Sequence, residues 1–254
     1  MKVVTGFHAI EERILSIQKQ NVDVKDFQIF YSKSGPRVKK ILESAKKVGV
    51  NVTQCDDKTL DIKVSGLDES LQDHRGIILE LNEEQVKQKN IIDFDEWLKI
   101  NCNAEKSTVI ILDRVTDPHN VGAILRSCDQ FGANLVIIPE NNANHDIGNE
   151  VISRSSAGAS AWVPVSIVTN LVRTVEKLKK AGYWIYGADA GGENLTQVKF
   201  SSKTVMIMGS EGTGMARLLE EKCDTIVSIP TCGKIDSLNV SVAAGVLLYE
   251  IYKR

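Results

Sequence analysis

Three stretches of the chain place glycine, amide, hydroxyl and charged residues where apolar runs stop. In "ILDRVTDPHNVGAILRSCDQFG", residues 111–132, Asp117-Pro118 predicts a turn and Asn120 an N-cap. Val121, Ile124, Leu125, Cys128 and Phe131 form a buried stripe closed by Gly132. Gly122 and Arg126 are four apart and share a helix face, so the arginine can lie back toward the loop end. Free N–H groups there favour anions, and an arginine aimed at them suits a phosphate. The competing reading is an exposed helical arginine, and His119 reads as polar loop filler. In "VMIMGSEGTGM", residues 205–215, a strand runs into Gly209, Gly212 and Gly214, which permit close backbone approach to a ligand. The order is GxxGxG, matching neither the dinucleotide fingerprint nor the GK[ST] ending of a phosphate loop. Glu211 in that turn disfavours phosphate and accepts from a hydroxyl, an amine or a cationic ligand; the alternative is a solvated turn with an incidental carboxylate. In "IPTCGKIDSLNVSVAAGVLLYEI", residues 229–251, Ser237 and Asn239 precede a helix and serve either as N-caps or as site residues.

The elements around these stretches define the scaffold. From Ser107 onward, "TVIILD", "NLVIIP", "YWIYGADA", "KTVMIMG" and "TIVSIP" alternate with helical patterns, which predicts a parallel sheet covered on both faces. Ligands of such sheets bind beyond the carboxyl ends of the strands, where all three stretches fall. Upstream, "GFHAIEERILSIQKQ", "DFQIFYS", "GPRVKKILESAKKVGV" and "GIILEL" predict a smaller α/β unit. We therefore expect an N-terminal domain over 1–76, a polar linker over 77–104 holding a short helix at "FDEWLKI", and a second domain over 105–254. The last helix is apolar nearly all round: beside the stripe Val240, Ala243, Ala244, Leu247, Leu248 and Ile251 it carries Val242, Gly245, Val246 and Tyr249. It needs a second burial partner, and the expectation is a homodimer through this helix.

Composition bounds the possibilities. The hydrophobic fraction is 43% and the charged fraction 25%, as in soluble globular chains. The formal net charge of −2 gives no global positive field, so an RNA-binding surface must be a local patch. Lys33, Arg37, Lys39, Lys40, Lys46 and Lys47 crowd one segment with only Glu43 opposing, either as a phosphate patch or as a solvated face. Five cysteines without a CxxC pair argue against a disulfide frame or zinc site and fit a cytoplasmic protein. Neither a signal peptide nor a membrane-spanning run is expected.

Taken together, Asn120, Gly122 and Arg126, then Gly209, Glu211, Gly212 and Gly214, then Ile229, Pro230, Ser237, Leu238 and Asn239 resemble the three motifs of the SpoU (TrmH) family of RNA ribose 2′-O-methyltransferases, of the SPOUT class. The likeness covers roughly 105–254, and the N-terminal segment looks like that family's small L30e-like substrate-binding domain. The resemblance implies a C-terminal trefoil-knot α/β domain, S-adenosylmethionine as cofactor with no metal, and methylation of a guanosine ribose in 23S rRNA. A tRNA or other rRNA target, or a non-catalytic RNA-binding protein on the same scaffold, is the alternative. By position it implies cofactor contacts at Gly209, Ile229 and Leu238, and catalytic roles for Asn120, Arg126, Glu211, Ser237 and Asn239. The arginine is either the proton acceptor or the holder of a neighbouring phosphate, and guanidinium chemistry favours the second. Lys33, Arg37, Lys39 and Lys40 are the implied RNA contacts. Asp236 departs from the small neutral residue of many relatives.

Overall fold

The computed structural model describes residues 2–20, 24–67, 69–81, 90–141, 147, 149–234 and 237–254; Asp236 lies outside them. In chain order the elements are β1 (Lys2–Thr5), α1 (Phe7–Gln20), β2 (Gln28–Tyr31), α2 (Pro36–Lys47), β3 (Asn51–Gln54), α3 (Asp57–Val64), β4 (Ile77–Leu81), α4 (Phe94–Asn101), β5 (Ser107–Leu112), α5 (Pro118–Gln130), β6 (Leu135–Pro139), α6 (Glu150–Ser155), β7 (Val165–Val168), α7 (Leu171–Lys180), β8 (Trp184–Asn194), β9 (Lys203–Met208), α8 (Arg217–Glu220), β10 (Thr225–Ser228) and α9 (Val240–Tyr252). The chain divides into two compact units, Met1–Lys89 with Gly148–Ala161, and Asn90–Ile147 with Trp162–Arg254.

The first unit is a four-stranded sheet ordered β1-β4-β2-β3, with β4 antiparallel to both neighbours and β3 parallel to β2. Strand β4 shows why its residues belong inside: Ile77, Leu79 and Leu81 join α1 and α2 in one core, while Ile78 points to the other face with Leu60 and Val64 of α3. An expected boundary at 76 would cut this inner strand away, because it falls just ahead of the strand that pairs on both sides. The unit also takes in α6, whose Arg154 lies 3.6 Å from Asp73. The stretch expected as a linker is divided in the same way: Phe94 and Trp97 of α4 are core residues of the second unit, with Val109, Leu135 and Leu178.

The second unit is a six-stranded, wholly parallel sheet ordered β10-β8-β9-β5-β6-β7. Every residue of β5 and β6 is buried, as continuous apolar runs demand. From β5 the chain steps outward through β6 and β7, then returns so that β9 lies on the other side of β5. This reversal makes β5 a topological switch point, where loops diverge and leave a crevice. Helix α9 crosses the sheet. At its far end Arg254 donates to the Ser201 carbonyl and to Thr204 Oγ1, and lies 2.9 Å from Thr108 Oγ1, all at the start of β9 or β5. Thirteen helical residues span about 20 Å, the length of a six-residue strand, so the anchored helix sets its first residue over the strands' carboxyl ends. No helix among the described residues is long and apolar enough to cross a membrane.

Candidate active site

The glycine stretch after β9 folds back on itself. Ser210 and Gly214 exchange backbone hydrogen bonds of 3.1 and 3.0 Å, and the two hydroxyls of Ser210 and Thr213 meet at 2.6 Å. A side chain on Gly209 would place its Cβ 2.4 Å from the backbone of Gly214 and Met215, so only glycine fits there. The turn carries Glu211 outward at the mouth of the sheet.

Three loops converge on that carboxylate. Glu211 Oε1 accepts from Asn239 Nδ2 at 2.7 Å, from Val240 N at 3.2 Å and from Asn120 Nδ2 at 3.3 Å. Asn239 Nδ2 also donates to Asn120 Oδ1 at 3.0 Å. One oxygen thus ties the loops after β5, β9 and β10, and it sits at the first turn of α9, where a negative charge is favourable. Asn239 has a second task as N-cap: its Oδ1 accepts from Ser241 N and Ser241 Oγ at 3.0 and 2.6 Å. Asn120 is not the cap of α5 as its sequence suggests. Asp117 is, accepting from His119 N at 2.9 Å with Pro118 in the first turn, and this frees the Asn120 side chain to reach across to α9.

The other expected residues surround this network without joining it. Arg126 is exposed, and no hydrogen bond or ion pair links it to any described residue. Ser237 is exposed and also has no partner among the described residues. Of the expected cofactor contacts, Gly209 and Ile229 are half-buried and Leu238 is 37% exposed, leaving apolar surface beside the carboxylate. Burial pushes the Cys128 thiol well above its ordinary range and the Cys223 thiol up to about 12, so neither is a thiolate nucleophile.

Two participants were not anticipated, Asp113 and Arg114. Asp113, buried at the end of β5, accepts from Ala216 N at 2.6 Å, and Arg114 Nη2 donates to the Gly214 carbonyl at 3.0 Å. They clamp the glycine turn from below, and Arg114 takes a φ of +58° to do so. A charged pair directly after four apolar residues was the available signal.

In the first unit, the basic segment separates into tied and free cations. Lys33 pairs with Asp57 at 2.8 Å; the lysine holds the Asp57 carboxyl below its usual range, with help from Ser32. Arg37 contacts Glu11 at 3.1 Å and lies over the Phe7 ring. Lys39 and Lys40 are exposed on α2, with no partner among the described residues.

Fold and site together define a parallel α/β domain whose polar centre is assembled from three strand-end loops. The chain belongs to the SpoU rRNA methylase family, whose model matches residues 107–249. It is 36% identical over 252 residues to the 23S rRNA (guanosine-2′-O-)-methyltransferase RlmB of Pseudomonas aeruginosa, covering 99% of this chain and 96% of that one. It is 37% identical to an uncharacterised tRNA/rRNA methyltransferase of Borreliella burgdorferi, covering 88% and 96%. Among solved structures, the SpoU methyltransferase AviRb of Streptomyces viridochromogenes, in complex with AdoMet, aligns over 99% of this chain and 89% of its own, with TM-score 0.70 and 23% identity. An RNA 2′-O ribose methyltransferase aligns over 99% and 87%, with TM-score 0.74 and 19% identity.

Proposed function

We propose that this protein transfers a methyl group from S-adenosylmethionine to the ribose 2′-hydroxyl of a guanosine in 23S rRNA. The observation that carries the reading is the Asn120–Glu211–Asn239 network beside an Arg126 that pairs with no described residue. The full-length likeness to RlmB proteins supports the target.

The residues present fit the cofactor. Gly209 lets the backbone close tightly, Ile229 and Leu238 leave apolar surface at the strand ends that would hold the cofactor, and the Glu211 carboxylate would favour its positive charge. When bound, S-adenosylmethionine supplies an electrophilic methyl group. The chain's own tasks are orientation and handling of the hydroxyl proton. The Arg126 guanidinium, a donor without an acceptor atom, holds a phosphate flanking the target ribose and stabilises oxyanion character as it develops. The proton leaves to water or to a phosphate oxygen. Glu211 and the two asparagines keep the three loops in register, and Ser237 donates to the sugar.

The first unit acts as the L30e-like RNA-binding domain, with Lys39 and Lys40 as phosphate contacts and Lys33 and Arg37 contributing less because carboxylates already hold them. The second unit is the knotted methyltransferase domain. It dimerises through α9, whose Val242, Val246 and Tyr249 form one stripe and are 52%, 36% and 48% exposed. Five free cysteines fit a cytoplasmic enzyme. The test is a map of ribose methylation in rRNA and tRNA from cells with and without the gene. Loss of one 23S guanosine mark is expected. Loss of a tRNA mark instead would move the target, and unchanged maps together with no cofactor binding by calorimetry would leave an RNA-binding protein.

A further inference from the structure

We propose that Trp162 and Arg126 form a two-point site for single-stranded RNA, in which the guanidinium holds a phosphate and the indole stacks a neighbouring nucleobase; this rests on the function proposed above. Trp162 precedes β7 and is 42% exposed, which leaves a large part of the indole open to a ligand. It is also held in place. Its Nε1 donates to Asp129 Oδ1 on α5 at 2.6 Å, while Gln130 Nε2 donates to Asp129 Oδ2 at 2.9 Å.

Asp129 lies three residues beyond Arg126 on α5, hence on the same face and about 4.5 Å further along the axis. At that spacing an arginine and an aspartate are within reach of each other. Here each carboxylate oxygen already has a donor, one of them the indole, and Arg126 forms no ion pair with a described residue. The indole is therefore held, through the Asp129 carboxylate, to the helix face that carries Arg126, three residues away and without an ion pair among the described residues. A fixed ring beside an unpaired cation is what a base and its phosphate require.

The occupant is RNA rather than a second copy because of where α9 sits. Ser127, Phe131 and Asn120 face α9, with Phe131 and Tyr249 ring centroids 5.8 Å apart. At about 100° per residue, Ser127 and Asp129 fall on opposite flanks of Arg126, so Trp162 stands on the side away from the helix assigned to dimerisation.

The test uses the full-length protein, 23S rRNA transcribed without modification, and the variants Trp162→Ala and Trp162→Phe. Trp162→Ala is expected to raise KM for RNA about tenfold, with kcat and S-adenosylmethionine affinity nearly unchanged, and Trp162→Phe to recover most of the loss. With Trp97 and Trp184 replaced by Phe, the remaining indole should be quenched as RNA is added. An unchanged KM in Trp162→Ala, absence of quenching, or a shift toward monomer in sedimentation would each overturn the assignment. If the parent protein binds RNA but transfers no methyl group, the function fails while the quenching still decides the stacking site.

Discussion

The two units deploy polar residues in opposite ways. In the second unit, Asn120, Glu211 and Asn239 come from three strand ends and share hydrogen bonds, so each group's position is determined by the others. In the first, the cations of α2 stand on a solvated helix face, and Arg37 of that helix and Lys33 ahead of it are held by local carboxylates. A network fixes geometry and suits chemistry, where misplacement of about 1 Å costs rate. A row of exposed lysines fixes little and suits phosphate attraction, which needs only charge within reach.

That contrast can be broken most severely at Arg126. Arg126→Ala should lower kcat by about 10²–10³-fold while leaving S-adenosylmethionine affinity by calorimetry unchanged, and an active variant would remove the polar end of the second unit from the chemistry. Val246→Asp should weaken dimerisation by at least about a hundredfold, seen by sedimentation, because a charge would be buried without a partner; activity should fall with it. Glu211→Ala removes the shared acceptor. We expect activity about tenfold lower and a Tm lower by about 2–4 °C, with Glu211→Gln closer to the parent because it keeps an acceptor oxygen.

The remaining predictions concern the first unit. Replacing Lys39 and Lys40 together by Ala should raise KM for RNA severalfold and reduce the salt slope of binding by about 1.4, with kcat unchanged. The smallest effect belongs to Lys33 and Asp57. Because Asp57 titrates below its ordinary value of 3.8, its contribution to stability is present above that pH and is lost as pH falls through the folded-state value. Asp57→Asn should therefore flatten the acid limb of urea midpoints and leave RNA affinity intact.

The apolar strands of the second unit were legible because β5, β6 and β9 are long, continuous and buried on both faces. The strand Asn51–Gln54 was not, since an exposed edge strand carries no apolar run. Strand β7 is short, directly follows Pro164, and escaped for a similar reason. At the site, the five expected catalytic residues lie on the segments that follow β5, β9 and β10, with Asn120 and Arg126 on α5 itself, but only Asn120, Glu211 and Asn239 bond to one another. Asp113 and Arg114 went unseen because a residue that supports a loop from beneath looks, in sequence, like any charged residue after a strand.

What the sequence determined by itself is local: apolar periodicity, the glycines after β9, the Asp-Pro turn ahead of α5 and the over-apolar last helix. Each depends on near neighbours in the chain. What the tertiary structure decided is which of these groups meet. Asn120 and Asn239 are 119 residues apart and touch because β5 is a switch point and α9 is anchored across the sheet at Arg254. Likewise Trp162 and Asp129 are joined by a hydrogen bond across 33 residues. Such contacts are set by strand order and helix length, which no local pattern encodes.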